Sequence, residues 1–194
     1  MKLASRIRFF AAAAAVALAA SSMASAEPAK PECLAGAKPG GGFDLTCRLL
    51  GAALQNANLI KVPMAVTYME GGVGAVAYNH VIGTRPGDPD LVVAASSGSA
   101  LLIAQKKFGQ HDENAVRWAG ALGADYGVLA VAPDSPIKTL KDLVTEFGKN
   151  PAGFPVGGGG AVGSQDWMKM ALVAKAAGVD PRKMRYAALE GGGA

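Results

Sequence analysis

Residues 32–48 read ECLAGAKPGGGFDLTCR, and this single stretch contains a strand, a glycine turn and the start of a helix. Cys33 to Ala37 is a short apolar run of strand type, and Pro39-Gly40-Gly41-Gly42 breaks it. Asp44 is placed to cap a helix in which Leu45, Leu49, Ala53 and Leu54 keep helical spacing on one face.

The same grammar recurs outward from this unit. Val62 to Met69 reads as a second strand, Gly71 to Gly74 as its loop, and Gly74 to Ile82 as a closely packed small-residue helix. After a turn over residues 84–90, Leu91 to Ala95 reads as a wholly apolar strand buried on both faces. Ser96-Ser97-Gly98-Ser99 then leads into a helix ending near Phe108. Beyond the polar stretch 109–117, Gly127 to Ala132 is a strand candidate closed by Pro133 and Pro136. Thr139 and Asp142 match a capping box for a helix whose stripe is Leu140, Leu143, Val144 and Phe147. Phe154 to Gly157 is a short strand, Gly157 to Gly163 a glycine loop, and Ser164 opens a helix with Trp167, Met168, Ala171, Leu172 and Ala176 at spacings of three and four. Gly178 ends that helix, and Arg185 to Leu189 makes a last strand running into Gly191-Gly192-Gly193. Alternating strands and helices predict an α/β protein with mainly parallel sheets. A strand and glycine loop with no helix after them also suggest a truncated product.

The first 26 residues have the character of a removable leader. Lys2, Arg6 and Arg8 precede an apolar run from Phe9 to Ala20, and Ala24-Ser25-Ala26 is a small-x-small site, so cleavage is expected after Ala26. The run is too short for a bilayer, which needs roughly 20 apolar residues. An exported, periplasmic protein follows. Of 19 basic side chains the leader holds three, leaving 16 against 15 acidic ones, so the mature chain is almost neutral. Such a balance gives a polyanion no surface to bind, and nucleic acid is excluded as a partner. The 26 glycines, without a collagen-like period, predict many tight loops.

Cys33 and Cys47 are the chain's two cysteines. In an oxidising compartment a disulfide is the default, with a catalytic thiol beside His80 or His111, or a metal pair, as rivals. Catalytic sets are otherwise thin: no G-x-S-x-G elbow is present, and the histidines have no metal-ligand spacing. Neither a catalytic residue nor a metal is therefore assigned. Trp118 and Trp167 are candidates for a pocket wall, though core packing suits both better.

Three loops, Pro39 to Asp44, Ser96 to Ser99 and Gly157 to Ser164, each carry the chain from a strand end to a helix start. Free backbone N–H groups and the positive end of a helix dipole coincide there, so each is a candidate anion site, although glycine can simply permit a tight turn. Residues 158–163, GGGAVG, also satisfy G-x-G-x-x-G. That fingerprint wants an acidic residue about 20 positions on, at the next strand's end. Asp180 has the spacing but precedes Pro181 in a loop, and Glu190 ends the strand but lies too far along. As a phosphate-binding Walker loop the segment fails, because Ser164-Gln165 replaces the lysine and hydroxyl pair. A nucleotide cofactor is not expected.

Taken in order, Glu32-Cys33, the run from Ala37 to Arg48, Gly71 to Gly74, Ser96 to Gly98, Gly163 to Asp166, Ala176 to Pro181, and Tyr186 with Gly191 to Gly193 resemble the periplasmic solute-binding receptors of tripartite tricarboxylate transporters, the Bug family. The resemblance implies a two-domain clam-shell of the type II periplasmic-binding-protein kind, incomplete at the C-terminus, with residues 27–122 in one lobe and 123–194 in the other. Gly36 departs from the proline that this branch of the family often has. The resemblance also implies a small carboxylate ligand, held mainly by backbone amides, and membrane permease subunits as partners. The residues it places at the ligand are Gly41, Gly42, Phe43, Asp44, Ser96, Ser97, Gly160, Ala161, Ser164 and Gly192. An exported enzyme or a degenerate nucleotide-binding α/β domain is the competing reading.

Overall fold

The computed structural model describes residues 27–124 and 126–189. Residues 1–26, which hold the expected leader, Asp125, Glu190 and the terminal glycines including Gly192 lie outside the described residues.

Within them the chain is α/β with parallel pairing throughout. Strand β1 (Glu32–Ala35) is followed by helix α1 (Gly42–Asn56), β2 (Ala65–Tyr68), helix α2 (Ala75–Thr84), β3 (Leu91–Ala94) and helix α3 (Ser97–Ala104). The three strands form one parallel sheet in the order β2, β1, β3, with Cys33 opposite Val66 and Val92. Helix α4 (Leu140–Lys149), β4 (Pro155–Gly159), helix α5 (Gln165–Ala176) and β5 (Arg185–Leu189) follow. Here β4 and β5 make a second parallel sheet, with Val156 opposite Tyr186. Each helix crossover returns the chain parallel to the strand it left, as short loops on a twisted sheet require.

Beneath α1, Cys33, Ala35, Ala37, Phe43, Cys47 and Ala94 form a core that Val66, Tyr68, Val73 and Val92 border. The sulfurs of Cys33 and Cys47 are bonded, their Cα atoms 5.5 Å apart, so the middle of β1 is tied to the second turn of α1. This fixes which face of α1 points inward. Phe43 and Cys47 are buried, Leu50 and Leu54 half-buried, whereas Leu45 and Leu49 are each 57% exposed. The expected stripe through Leu45, Leu49 and Ala53 is thus rotated out, because two apolar stripes coexist on this helix and the cysteine pair selects the other.

Similar rotations occur elsewhere. In α4, Leu143 and Phe147 are buried but Leu140 is exposed. In α5 the inner face is Trp167, Met170, Ala171 and Ala174, while Met168 and Leu172 face outward. Trp167, Met170 and Ala174 join Leu143, Phe147 and Met184 in a second core, where the Phe147 and Phe154 rings meet edge to face at 5.7 Å. A further cluster gathers Tyr78, Leu102, Ile103 and Phe108 under α2 and α3.

Three other expectations are corrected. Residues 127–132 form no strand; they pair with no neighbour among the described residues, and Tyr126 and Val128 are strongly exposed. Apolar, β-branched composition makes a strand only where a partner edge is available. Strand β3 stands at a sheet edge and is half-buried rather than enclosed on both faces. Trp118 is half-exposed rather than packed in a core; its indole N–H donates to the Glu113 carbonyl.

Candidate functional site

Three helix starts gather around one short turn. Between β2 and α2, Gly71 to Gly74 makes a tight 3-10 turn in which Gly71, Gly72, Val73 and Gly74 all have positive φ. Positive φ at a β-branched residue such as Val73 is a true outlier, tolerated only where the surroundings impose it. The imposing contact is visible on one side: a Cβ on Gly36 would lie 2.6 Å from the Gly74 Cα, so the end of β1 and this turn touch backbone to backbone. Only glycine permits that approach.

Against this turn lies the first loop. Gly41 is the N-cap of α1 and offers no side chain to it, so the first-turn amides of α1 have no capping partner from that residue. Gly42 opens the helix with open space around its Cα, and the Phe43 ring lies 3.8 Å from where a Gly74 Cβ would stand. Asp44 does not cap the helix. It sits in the first turn, 4% exposed, and reaches back to accept the Gly40 N–H at 2.7 Å. The same carboxylate accepts the Tyr68 hydroxyl at 2.9 Å and the Arg48 Nε at 2.8 Å, and Arg48 also donates to the Tyr68 oxygen at 3.0 Å.

The second loop is capped from within. Ser96 and Ser99 form a reciprocal box at the start of α3, and the Ser99 hydroxyl also donates to the Val73 carbonyl at 3.2 Å. The third loop arrives on the other side of Val73. Gly160, at φ 76, is close enough that a Cβ there would meet the Val73 side chain at 3.1 Å. Ser164 is buried and caps α5, while its hydroxyl donates to the Gly159 carbonyl at 2.8 Å. Ala161 is exposed at the loop tip. Ser97 Oγ donates to Gln165 Oε1 at 3.0 Å, and Gln105 and Lys107 donate to the carbonyls of Gly163 and Val162, so α3 bridges the two sheets' loops.

Phe43 of the first loop, Ser99 of the second and Gly160 of the third thus meet at the Val73 to Gly74 turn, and Ser97 reaches the third loop's helix through Gln165, while among the described residues no contact brings Gly41, Gly42 or Ala161 to a residue of another loop. The serine hydroxyls and the Asp44 carboxylate are engaged within the protein, and so are the amides of Gly41, Gly160 and Ser164, which donate to the carbonyls of Lys38, Leu189 and Ala161; the amides of Gly42, Phe43 and Ala161 are what the loops still present. Val73, Arg48 and Tyr68 did not stand out in the sequence. A lone valine between glycines was the available signal for Val73, and an arginine one helical turn after an aspartate was the signal for Arg48. Neither histidine reaches the site: His80 contacts Thr84, its own helix neighbour. A depression of about 510 Å³ bordered by Ile137, Lys141, Glu146 and Phe154 lies away from all three loops.

The Gly40 amide, foremost, holds the Asp44 carboxyl below the ordinary range, with Tyr68 and Arg48 adding to it against the opposing effect of burial. At Glu32 burial pushes upward, but the Thr67 hydroxyl and the Arg85 guanidinium outweigh it and the carboxyl again lies low. Both groups bind a proton less readily folded than unfolded. Their stabilisation is present above the unfolded value, near about 4, and is lost as pH falls toward the lower folded values. Thermal unfolding midpoints should hold steady from neutrality down to that range and then drop, with a shallower drop in Asp44→Asn. An acid limb identical in the two proteins would contradict this account of Asp44.

Comparison with known proteins agrees with the architecture. The described residues share the fold of about half of several solved periplasmic proteins. A structure described as a periplasmic transporter superposes with a TM-score of 0.64 at 20% identity, over 86% of this chain and 54% of its own. Periplasmic binding protein BugD gives 0.58 at 16% identity over 84% and 53%, and MatC from Rhodopseudomonas palustris with bound malate gives 0.54 at 17% over 84% and 53%. The chain thus spans about half the length of the solved structures it matches. No family model matches the sequence, and no curated protein does so.

Proposed function

We propose that this chain is a periplasmic solute-binding receptor of the tripartite tricarboxylate type. It captures a small organic acid by its carboxylate and delivers it to membrane permease subunits, without chemistry of its own. The observation that carries this reading is the meeting of two glycine loops at Val73, each opening a helix whose positive end favours an anion, with the amides of Gly42, Phe43 and Ala161 not spent on the loops' own backbone bonds. Supporting it are the leader-like first 26 residues and the fold shared with MatC, which binds malate. The residues assigned to the ligand are Gly41, Gly42 and Phe43 from one loop and Gly160, Ala161 and Ser164 from the other, with the amides of Gly42, Phe43 and Ala161 as donors and Gly41, Gly160 and Ser164 shaping the loops through their own backbone bonds.

One observation keeps a nucleotide in the test. The G-x-G-x-x-G stretch lies between β4 and α5, and β5 pairs parallel to β4, as in a dinucleotide-binding unit. Isothermal calorimetry of the purified chain with malate, citrate and NAD discriminates between the readings. Heat with a carboxylate and none with NAD is expected; saturable NAD binding without carboxylate binding would overturn the proposal.

A further inference from the structure

Both anion loops are held by an aspartate in the first turn of the helix they open, and both aspartates are paired with a cation. Asp44 accepts the amide of Gly40, the residue before the α1 N-cap, and pairs with Arg48 one turn on at 2.8 Å. Asp166 accepts the amide of Gly159, the last residue of β4, at 2.9 Å, and pairs with Lys169 at 3.0 Å. A tyrosine from the neighbouring parallel strand completes each arrangement: the Tyr68 hydroxyl donates to Asp44 at 2.9 Å, and the Tyr186 hydroxyl donates to the Gly159 carbonyl at 3.3 Å.

An aspartate at this position has two opposed effects. It fixes the loop and satisfies an amide, but its negative charge occupies the end of the helix that would attract an anion. A carboxylate ligand approaching the loop would meet like charge a few ångströms away. The adjacent guanidinium and ammonium groups remove that repulsion without releasing the loop amides. Lys38 and Glu70, at 3.8 Å beside the first loop, likewise cancel each other.

Resting on the carboxylate reading above, we propose that Arg48 and Lys169 are positioning residues that neutralise Asp44 and Asp166, so that each aspartate orders its glycine loop without repelling the bound carboxylate. The cations act through the aspartates and do not touch the ligand. Arg48→Met leaves Asp44 charged beside the loop; Asp44→Asn keeps an acceptor for the Gly40 amide and removes the charge. The double variant is therefore neutral again with its loop still held.

Malate calorimetry on wild type, Arg48→Met and Asp44→Asn/Arg48→Met provides the test, with thermal midpoints recorded on the same samples. Affinity should fall about tenfold in Arg48→Met and return to within about threefold of wild type in the double variant. Adding a second substitution to a merely structural lesion would not restore binding. Wild-type binding with unchanged affinity in Arg48→Met, or a double variant no better than Arg48→Met, overturns this inference alone. A wild-type chain that binds neither malate nor citrate overturns the carboxylate reading and this inference with it.

Discussion

Replacing Gly42 with valine is expected to lower malate affinity about ten- to hundredfold, the effect of roughly 1–3 kcal/mol of steric overlap, while the protein stays folded. The reasoning depends on where the new side chain goes. Gly42 has no atom within 4 Å of an added Cβ, and its φ is not positive, so valine strains neither the loop nor the helix. What valine does occupy is the space next to the first-turn amides of α1, where the carboxylate is proposed to sit. Gly160 is less suited to the same purpose, since its φ of 76 and its contacts with Ser164 and Val73 would make a side chain there disruptive in itself. Calorimetry with circular dichroism separates the two effects. A folded Gly42→Val protein with wild-type affinity would move the ligand away from this loop.

The second large effect concerns stability. Removing the Cys33 to Cys47 cross-link, which closes a separation of 14 residues, is expected to cost about 3 kcal/mol in the chain-entropy account. For a domain of this size that corresponds to a thermal midpoint lower by roughly 6–12 °C. Both cysteines are fully buried, so a Cys33→Ala/Cys47→Ala pair is preferable to serines, which would bury hydroxyls in an apolar core. A midpoint within about 2 °C of wild type would show that the core beneath α1 holds without the bond.

Much of the architecture was legible from local signals. Glycine turns at strand ends, the Thr139 and Asp142 box and the Ser164 cap each specify a boundary through backbone hydrogen bonding, and the structure places elements accordingly. Helix faces were less legible. On α1 the stripe through Leu45 and Leu49 and the stripe through Phe43, Cys47 and Leu50 are equally apolar, and only a tertiary bond decides between them. The run from Gly127 to Ala132 has the composition of a buried strand, yet pairing is a non-local property that composition does not contain.

At the site, the loops could be located because glycine is conspicuous, but their convergence could not. The contact that seats Val73 is between two backbones, Gly36 and Gly74, separated by 38 positions, and nothing in either residue announces the other. In sequence Asp44 stands beside the first loop where a helix cap would sit. Its actual hydrogen bond runs backward to Gly40, with Tyr68 arriving from the adjacent strand.

On the proposed reading, the groups that the helix starts of α1 and α5 offer an anion are peptide amides, which carry no ionisable proton. A receptor that drew its ligand with histidine or lysine would lose grip as those groups discharged on the alkaline side. On the carboxylate reading, the attraction should stay level from about pH 7 to pH 9, a range in which malate and citrate are fully ionised and the amides do not change. On the proposed function, capture between neutrality and about pH 9 would then follow solute concentration, with pH having little say.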